Sequence, residues 1–567
     1  MELNQLIEFL LQHNINAKEH PDEKGMLISE HLLGNHNVTI ISHIPSDFPF
    51  TLPTFHLHER EKYGALAHVA WGKDGFADIC YGADSYNIDY SRPKFIFLSA
   101  LSKMLTLLDK SLNDQDFNKK ELLREFAGVW RFHISDNTQT LVCLAEPTER
   151  FDNLMVRAPN NKKIKNNREI LVINSSLNQC NSNNFFMKKL NSKTRSSEGK
   201  GIILSLPELP LPPEPNESII SWWENVISNL PVDLQNDLLE KGRLTRTKNF
   251  YIICHAKNEE GQVWFALQCS NIKKENIPIH ARYFCNWNMN AVTLDVVSKE
   301  NLLSRIGVEN QLSDKKVCLI GCGSVGGYIA DMLSSSGVGE ITLVDPDKFQ
   351  LENLHRHYLG AHTIGNFKTD ALKLTLEYKY PFIKINTSKS RLLDYCNFEK
   401  LTRFDLVICA TGNVTHQRRI NEFIVQNKIP TPLIFCWVEA YGVGGHAVAV
   451  LPNSQGCLNN VFIDNESDEP SLYPNINFIR KDQKIKKNHA GCGTEFIAYS
   501  NIDAIQTATI SSQLALKVLS NNLENSGYIS WRGEQDLAIK NEIKLAHRFY
   551  RFKDLMHFIP LACEKMS

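Results

Sequence analysis

Gly321, Gly323 and Gly326 in KVCLIGCGSVGGYIADML form a GxGxxG set between an apolar run and an amphipathic one. Strand, glycine turn and helix in that order cradle a phosphate. The glycines let the backbone turn tightly and approach the anion, and the helix N-terminus favours its charge. The next apolar run ends in LVDPDKFQLENLHRHYLG, which puts Asp345 where a ribose hydroxyl would be met. A dehydrogenase needs little more in that stretch. This chain adds Asn353, Arg356 and, further on, Lys368. Asn, Arg and Lys together suit a triphosphate, because cations neutralise charge that shifts as pyrophosphate departs.

The second source of chemistry is thiol. The chain has 14 cysteines, and none forms the CxxC pair that a tetrahedral zinc site favours; no residue is assigned to a metal. Most are expected to be small buried hydrophobes, and context singles out two. Cys80 lies in the polar, turn-rich DGFADICYG. Cys492 lies between Gly491 and Gly493, with His489, Lys486 and Lys487 nearby, and cationic neighbours raise the thiolate fraction. Cys457 competes within the same long segment. Cys563, near the C-terminal end, is the weaker candidate.

The elements that must position these groups fall into three regions. Residues 1–112 carry a helical stripe (Leu3, Leu6, Ile7, Leu10, Leu11), then the strand-like GMLISEHLL and HNVTIISHI, DFPFTLPTFHL, Cys80, and a second helix bearing Leu98, Leu101, Leu105 and Leu108. Residues 113–300 mix strands such as FYIICHA and VWFALQC with loops. The polar run to Lys200 is expected to be a solvated loop, and LPELPLPPEPNE an extended spacer. This region is expected to be a linking α/β domain. Residues 301–567 alternate strand and helix, which implies a mostly parallel sheet. IFCWVEAYGVGGHAVAV is expected to be one strand of it. The fold class is thus multidomain α/β.

Composition excludes some partners. A chain of 567 residues, 43% hydrophobic, can bury several cores. Its formal net charge of −1 gives no reason to expect nucleic acid or an anionic membrane surface. No apolar run approaches the roughly 18 residues of a membrane span. MELNQLIEFLLQ lacks the basic-then-apolar order of a signal peptide, so a cytosolic protein is expected.

The D-x-D, NLxR and following lysine resemble the pattern of adenylating enzymes of ubiquitin-like systems, the ThiF and molybdopterin-synthase adenylyltransferase group and the ubiquitin-activating enzymes among them. The resemblance covers roughly residues 301–520. It implies a Rossmann-like adenylation domain in which Gly321, Gly323, Gly326, Asp345, Asp347, Asn353, Arg356 and Lys368 surround ATP with Mg²⁺. It further implies that Arg305 reaches a phosphate in the partner subunit of a homodimer, and that a crossover loop carries the attacking thiol. One departure stands out. The family's D-x-T-D-N becomes ICATGNVTHQRR, with Cys409 and Gly412 where two aspartates would be and Asn413 retained. Either the metal is held differently, mainly by ATP and water, or adenylation is slower.

FPFTLPTFHL followed by DGFADIC resembles a ubiquitin-conjugating domain, an α+β fold in which Cys80 maps to the thioester cysteine. The usual HPN is here AHVA, which keeps His68 and lacks the asparagine. Oxyanion stabilisation is then expected from the backbone amides of Gly82 to Ser85. One chain holding both modules resembles the ubiquitin-activating/ubiquitin-conjugating fusion proteins of bacterial CBASS antiphage operons. That implies a relay. The C-terminal tail of a CD-NTase-like nucleotidyltransferase is adenylated, passed to Cys492 (or Cys457), passed to Cys80, and joined to target lysines. Two other classes stay open: a sulfur-carrier adenylyltransferase of cofactor biosynthesis, and a non-enzymatic binding module on a decayed adenylating fold.

Overall fold

A computed structural model of the chain describes residues 3–21, 23, 25–70, 77–82, 89–135, 140–145, 147, 149–159, 169–174, 185–190, 195–214, 216–304, 312–452, 454–463, 469–488, 495–553 and 558–561. Two compact units emerge. One comprises Met1–Leu177 and Lys193–Ser298, the other Asn178–Ser192 and Lys299–Ser567.

The first unit opens with the helix Leu3–Gln12. A five-stranded sheet follows in chain order: Ala17–Glu19, Met26–Leu33, His36–His43, Thr54–Leu57 and Ala77–Asp78, antiparallel throughout. The helix Pro93–Asn113 starts with proline in its first turn, where a missing N–H costs nothing. It buries Phe97, Leu101, Met104 and Leu108 against Ile40, Phe55 and Leu57 of the sheet. Leu98 and Leu105 pack only partly, so the buried stripe is rotated from the one the leucine spacing suggests. Two short helices, Gln115–Arg124 and Phe126–Phe132, come next.

An eight-stranded mixed sheet completes this unit. The polar run to Lys200 is not simply loop. Arg195–Ser205 is an interior strand, antiparallel to Phe151–Pro159 and parallel to Arg246–Asn258. Its end, Ile202–Ile203–Leu204, is fully buried. Burial of that end draws the polar half into register, overriding its composition.

In the second unit the eight-stranded sheet runs Lys384–Ser388, Glu340–Val344, Lys316–Ile320, Leu406–Cys409, Leu433–Val438, Gly444–Val450, Gly527–Arg532, Ile559–Pro560. The first five are parallel and the rest antiparallel. The central strands are buried on both faces and read as unbroken apolar runs. IFCWVEAYGVGGHAVAV makes two strands rather than one. Tyr441 and Gly442, at φ 59 and 69, reverse the chain between them. Chain order reverses at Lys316–Ile320, whose neighbours lead away in opposite directions. Ligands of open α/β sheets bind in the crevice that opens at such a point, beyond the strands' carboxyl ends. The helix Asn501–Leu519 closes the layer behind it, with Ala504, Ala508 and Ala515 buried to admit close packing.

Among the described residues no helix is long and apolar enough to cross a membrane.

Candidate active site

The glycine turn is built as the spacing requires. Gly321 sits at φ +94, and a Cβ there would lie 2.8 Å from the backbone of Ala410. A Cβ on Gly326 would lie 1.9 Å from the Gly321 carbonyl oxygen. The Gly326 contact is with backbone, which cannot swing aside. Gly326→Ala is therefore expected to cost about 3 kcal/mol of stability and to displace the turn, measured as a lower urea midpoint with loss of MgATP binding.

Asp345 is 7% exposed. Its carboxylate accepts hydrogen bonds from Cys322 N at 2.7 Å and Asp347 N at 2.8 Å. Burial raises its pKa, against those bonds and Lys368. So Asp345 pins the turn first, whatever else it meets. His357, which the sequence reading did not single out, pins it from the other side. Leu359 N donates to its Nδ1 at 3.0 Å, so the proton sits on Nε2, which donates to the Cys322 carbonyl at 2.8 Å. Burial, helped by Lys368 and Arg356, lowers this pKa to about 4, and the ring is neutral at physiological pH.

Beyond the turn lies a cavity of about 490 Å³. Gly323 and Ser324 enter it from the N-terminus of the helix Ser324–Ser335, Asn353 and Arg356 from the 3₁₀ turn Leu351–Arg356, and Lys368 from the start of Lys368–Lys379. Four of the expected nucleotide residues (Gly323, Asn353, Arg356, Lys368) therefore share one wall. Gly321, Gly326 and Asp345 stand behind it as the frame of the turn. Asp347 accepts from Lys368 Nζ at 3.1 Å and holds the ammonium at the cavity edge. Asn413 does not face the cavity. Its side chain caps the helix Val414–Gln426, accepting from His416 N at 3.0 Å. Arg305 lies outside the described residues.

The donor set fits a nucleotide triphosphate: a helix N-terminus, two cations and an amide. For a divalent ion it offers little. Cys409 is fully buried, and Gly412 lines the cavity without a side chain. Glu439 is committed elsewhere. Its Oε1 accepts from Phe478 N at 2.6 Å and from His446 Nε2 at 2.8 Å, and Oε2 from Ile479 N at 2.9 Å. That leaves Asp347, paired with Lys368, as the carboxylate beside the cavity's cations among the described residues.

Glu439 and His446 were not foreseen from the sequence, although the glycines of EAYGVGGH hint at close packing. Burial lowers the His446 pKa, against the pull of Glu439. The neutral ring donates to Glu439 and accepts from Ser530 at 2.8 Å. The network fastens Phe478 and Ile479 beside the far wall, where Trp437 Nε1 donates to Asn477 Oδ1 at 2.8 Å.

Cys492, His489 and Cys563 lie outside the described residues. The ends of the segment around Cys492 are placed, however. Lys487–Asn488 and Glu495–Phe496 pair as a small antiparallel hairpin, and Ile485, Phe496, Ile497 and Tyr499 line the cavity. Cys457 is half-buried, begins the 3₁₀ turn Leu458–Phe462, and is not among the cavity-lining residues.

In the first unit, Cys80 is exposed at the mouth of a cleft of about 610 Å³. Its N–H donates to the His68 carbonyl at 2.7 Å. His68 has φ 64, unusual for a non-glycine residue. Its ring explains how that conformation is held. Nε2 meets Glu121 at 3.0 Å and Nδ1 meets Glu125 at 2.8 Å, while His68 N donates to Glu125 Oε2 at 3.1 Å. Arg124 pairs with Glu121 at 2.6 Å. The carboxylates occupy opposite ring nitrogens, so the group is a charge-balanced clamp rather than a cation cage. Gly82 lies in the same cleft, whereas the remaining oxyanion candidates, 83–85, fall outside the described residues.

Burial opposes the His68 imidazolium, but Glu125 and Glu121 outweigh it and the pKa is raised above 6.5. Burial likewise opposes the Glu125 carboxylate, but His68 outweighs it and that pKa is lowered below 4.5. The His68 contribution is therefore full below about pH 6.5 and fades as pH rises through the raised value. The Glu125 contribution is present above about pH 4.5 and fades as pH falls through the lowered one. His68→Ala is expected to cost about 1–3 kcal/mol, most between roughly pH 5 and 6.5 and less above pH 8. Urea midpoints of wild type and variant across that range check it; a gap that is the same at all pH values would refute the clamp.

Comparison with known proteins follows the same outline. The model of the ThiF family matches residues 297–553. The ATP-dependent ubiquitin transferase-like protein Cap2 of Vibrio cholerae is 27% identical over 250 residues, covering 42% of this chain and 42% of Cap2. Ubiquitin-like modifier-activating enzyme 5 of Drosophila virilis is 26% identical, covering 41% of this chain and 57% of the enzyme. The chain thus spans about half the length of the curated relatives it matches. A crystal structure of E. coli MccB with AMPCPP and MccA superposes with a TM-score of 0.33 at 18% identity, covering 46% of this chain and 68% of MccB.

Proposed function

Residues 297–553 are a ThiF-family adenylation domain, and from that premise we propose that the whole chain is an ATP-dependent ligase that activates a protein C-terminus and conjugates it through two thioesters. A carboxylate oxygen of the tail attacks the α-phosphorus of ATP and pyrophosphate leaves. The Cys492 thiolate attacks the acyl carbon and AMP leaves. The Cys80 thiolate takes the acyl group and frees Cys492. A lysine amine then attacks the Cys80 thioester, loses a proton, and releases the thiol. Thioesters keep the acyl group reactive toward thiols and amines, which is why cysteine serves at both steps.

The observation that carries this reading is the convergence at one crevice of Arg356, Lys368, Asn353 and a helix N-terminus with Ile485 and Phe496, which flank the segment holding Cys492 in the chain. The likeness to the ubiquitin transferase-like Cap2 supports ATP-dependent conjugation of a protein tail; within this proposal the tail is that of a CD-NTase-like nucleotidyltransferase and the acceptors are lysines of target proteins. Mg²⁺ would be held mainly by the phosphates and water, with Asp347 as the nearest carboxylate. We retain 1–112 as conjugating-like, 113–300 as linking and 301–567 as adenylating, and propose a homodimer in which Arg305 serves the partner's site. The helix–meander–helix order around Cys80 supports the conjugating assignment.

ATP–pyrophosphate exchange driven by a candidate tail tests the enzyme reading. No exchange with any tail would favour a scaffold on a decayed fold, the reading that the Cys409 and Gly412 replacements keep open. Exchange without a reductant-sensitive adduct on Cys80 would favour a sulfur-carrier adenylyltransferase.

A further inference from the structure

Arg356 has a long side chain on a short 3₁₀ turn, and a charge so mounted stabilises a transition state only if something aims it. Tyr499 supplies that aim. The guanidinium carbon lies 4.9 Å from the Tyr499 ring centroid. Arg356 Nη1 also donates to the Ile497 carbonyl at 3.3 Å. The Tyr499 hydroxyl shares a 2.6 Å hydrogen bond with Ser324 Oγ, at the first residue of the helix that faces the phosphates. One backbone tie, Tyr441 N to the Ala498 carbonyl at 2.6 Å, docks the segment in place. A single side chain thus joins the helix start, Arg356 and the chain that follows the strand Glu495–Phe496.

We propose that Tyr499 is a positioning residue for Arg356, holding the guanidinium on the phosphates beyond the first. The inference rests on the adenylation reading. It deepens that reading by making the grip on the triphosphate depend on the docking of residues 497–499. The ring provides a face against which a planar cation stacks. The hydroxyl fixes the ring; without it the ring stays near its place, held by packing.

The test uses the full chain and two probes, MgATP and AMP, with affinities from ligand-dependent melting. Tyr499→Ala is expected to weaken MgATP about tenfold and leave AMP within about twofold, because AMP lacks the phosphates that Arg356 holds. Tyr499→Phe keeps the ring and is expected to stay within about threefold of wild type for MgATP. Tyr499→Ala in an Arg356→Ala background is expected to add nothing, since the two act through one group. The proposal is overturned if Tyr499→Ala binds MgATP as wild type does, if MgATP and AMP weaken in parallel, or if the two substitutions are additive. A wild-type chain that does not bind MgATP overturns the adenylation reading and this proposal together. Wild-type binding that Tyr499→Ala leaves intact overturns the proposal alone.

Discussion

Cys80→Ala is expected to leave tail-driven ATP–pyrophosphate exchange at the wild-type rate and to abolish transfer to lysine. On the proposed relay the two activities separate, because pyrophosphate exchange would be complete before any acyl group reached Cys80. Alanine removes the only atom able to hold the acyl group at that position, so the expected loss in conjugation is at least about 10³-fold. Serine is the sharper variant. A hydroxyl there would trap the tail as an oxygen ester, which amines attack far more slowly, and the adduct would survive reductant. Gels run with and without thiol separate the three forms. Conjugation that persists in Cys80→Ala would show that the first thioester donates to lysine directly, and the relay would be wrong.

Lys368→Ala has the next largest effect, on the earlier step. Lys368 is 8% exposed and begins a helix, its ammonium held toward the cavity edge by Asp347 at 3.1 Å. Alanine there leaves the departing pyrophosphate short of one buried cation and leaves Asp347 as an unopposed negative charge beside it. Both changes act in the same direction. A fall of about 10²–10³ in the exchange rate is expected, the size typical of removing one preorganised electrostatic donor. Lys368→Ala with Asp347→Ala should recover part of the loss, since the repelling charge goes too. A double variant slower than Lys368→Ala would show that Asp347 is needed in its own right, as a metal ligand would be.

The sequence was most legible where structure is local and one-dimensional. The strand, glycine turn and helix around Gly321–Gly326 follow from a continuous apolar run and three glycines. Asn353 and Arg356 reach the cavity from one short 3₁₀ turn and Lys368 from the start of a helix, both following the strand Glu340–Val344 in the chain. Legibility failed where partners are distant in the chain. Glu121 meets His68 across 53 positions, and Glu439 meets Ile479 across 40. Neither pairing leaves a mark in spacing or composition. Asn413 has a local role that its family position did not suggest: after a glycine at φ +63 its side chain satisfies a helix N-terminus, a common use of asparagine at such a place. The polar run to Lys200 was misread because three fully buried residues at its end set the register of the whole strand.

Residues 178–192 belong with the second unit although their neighbours on both sides belong with the first. The described part of that stretch is the helix Phe185–Leu190. A fragment cut at Lys299 would leave behind Phe185, whose ring lies 5.6 Å from Tyr378, and Lys188, which stands over the same ring. Neither gene-level truncation nor recombination at Lys299 would therefore deliver the second unit with that contact.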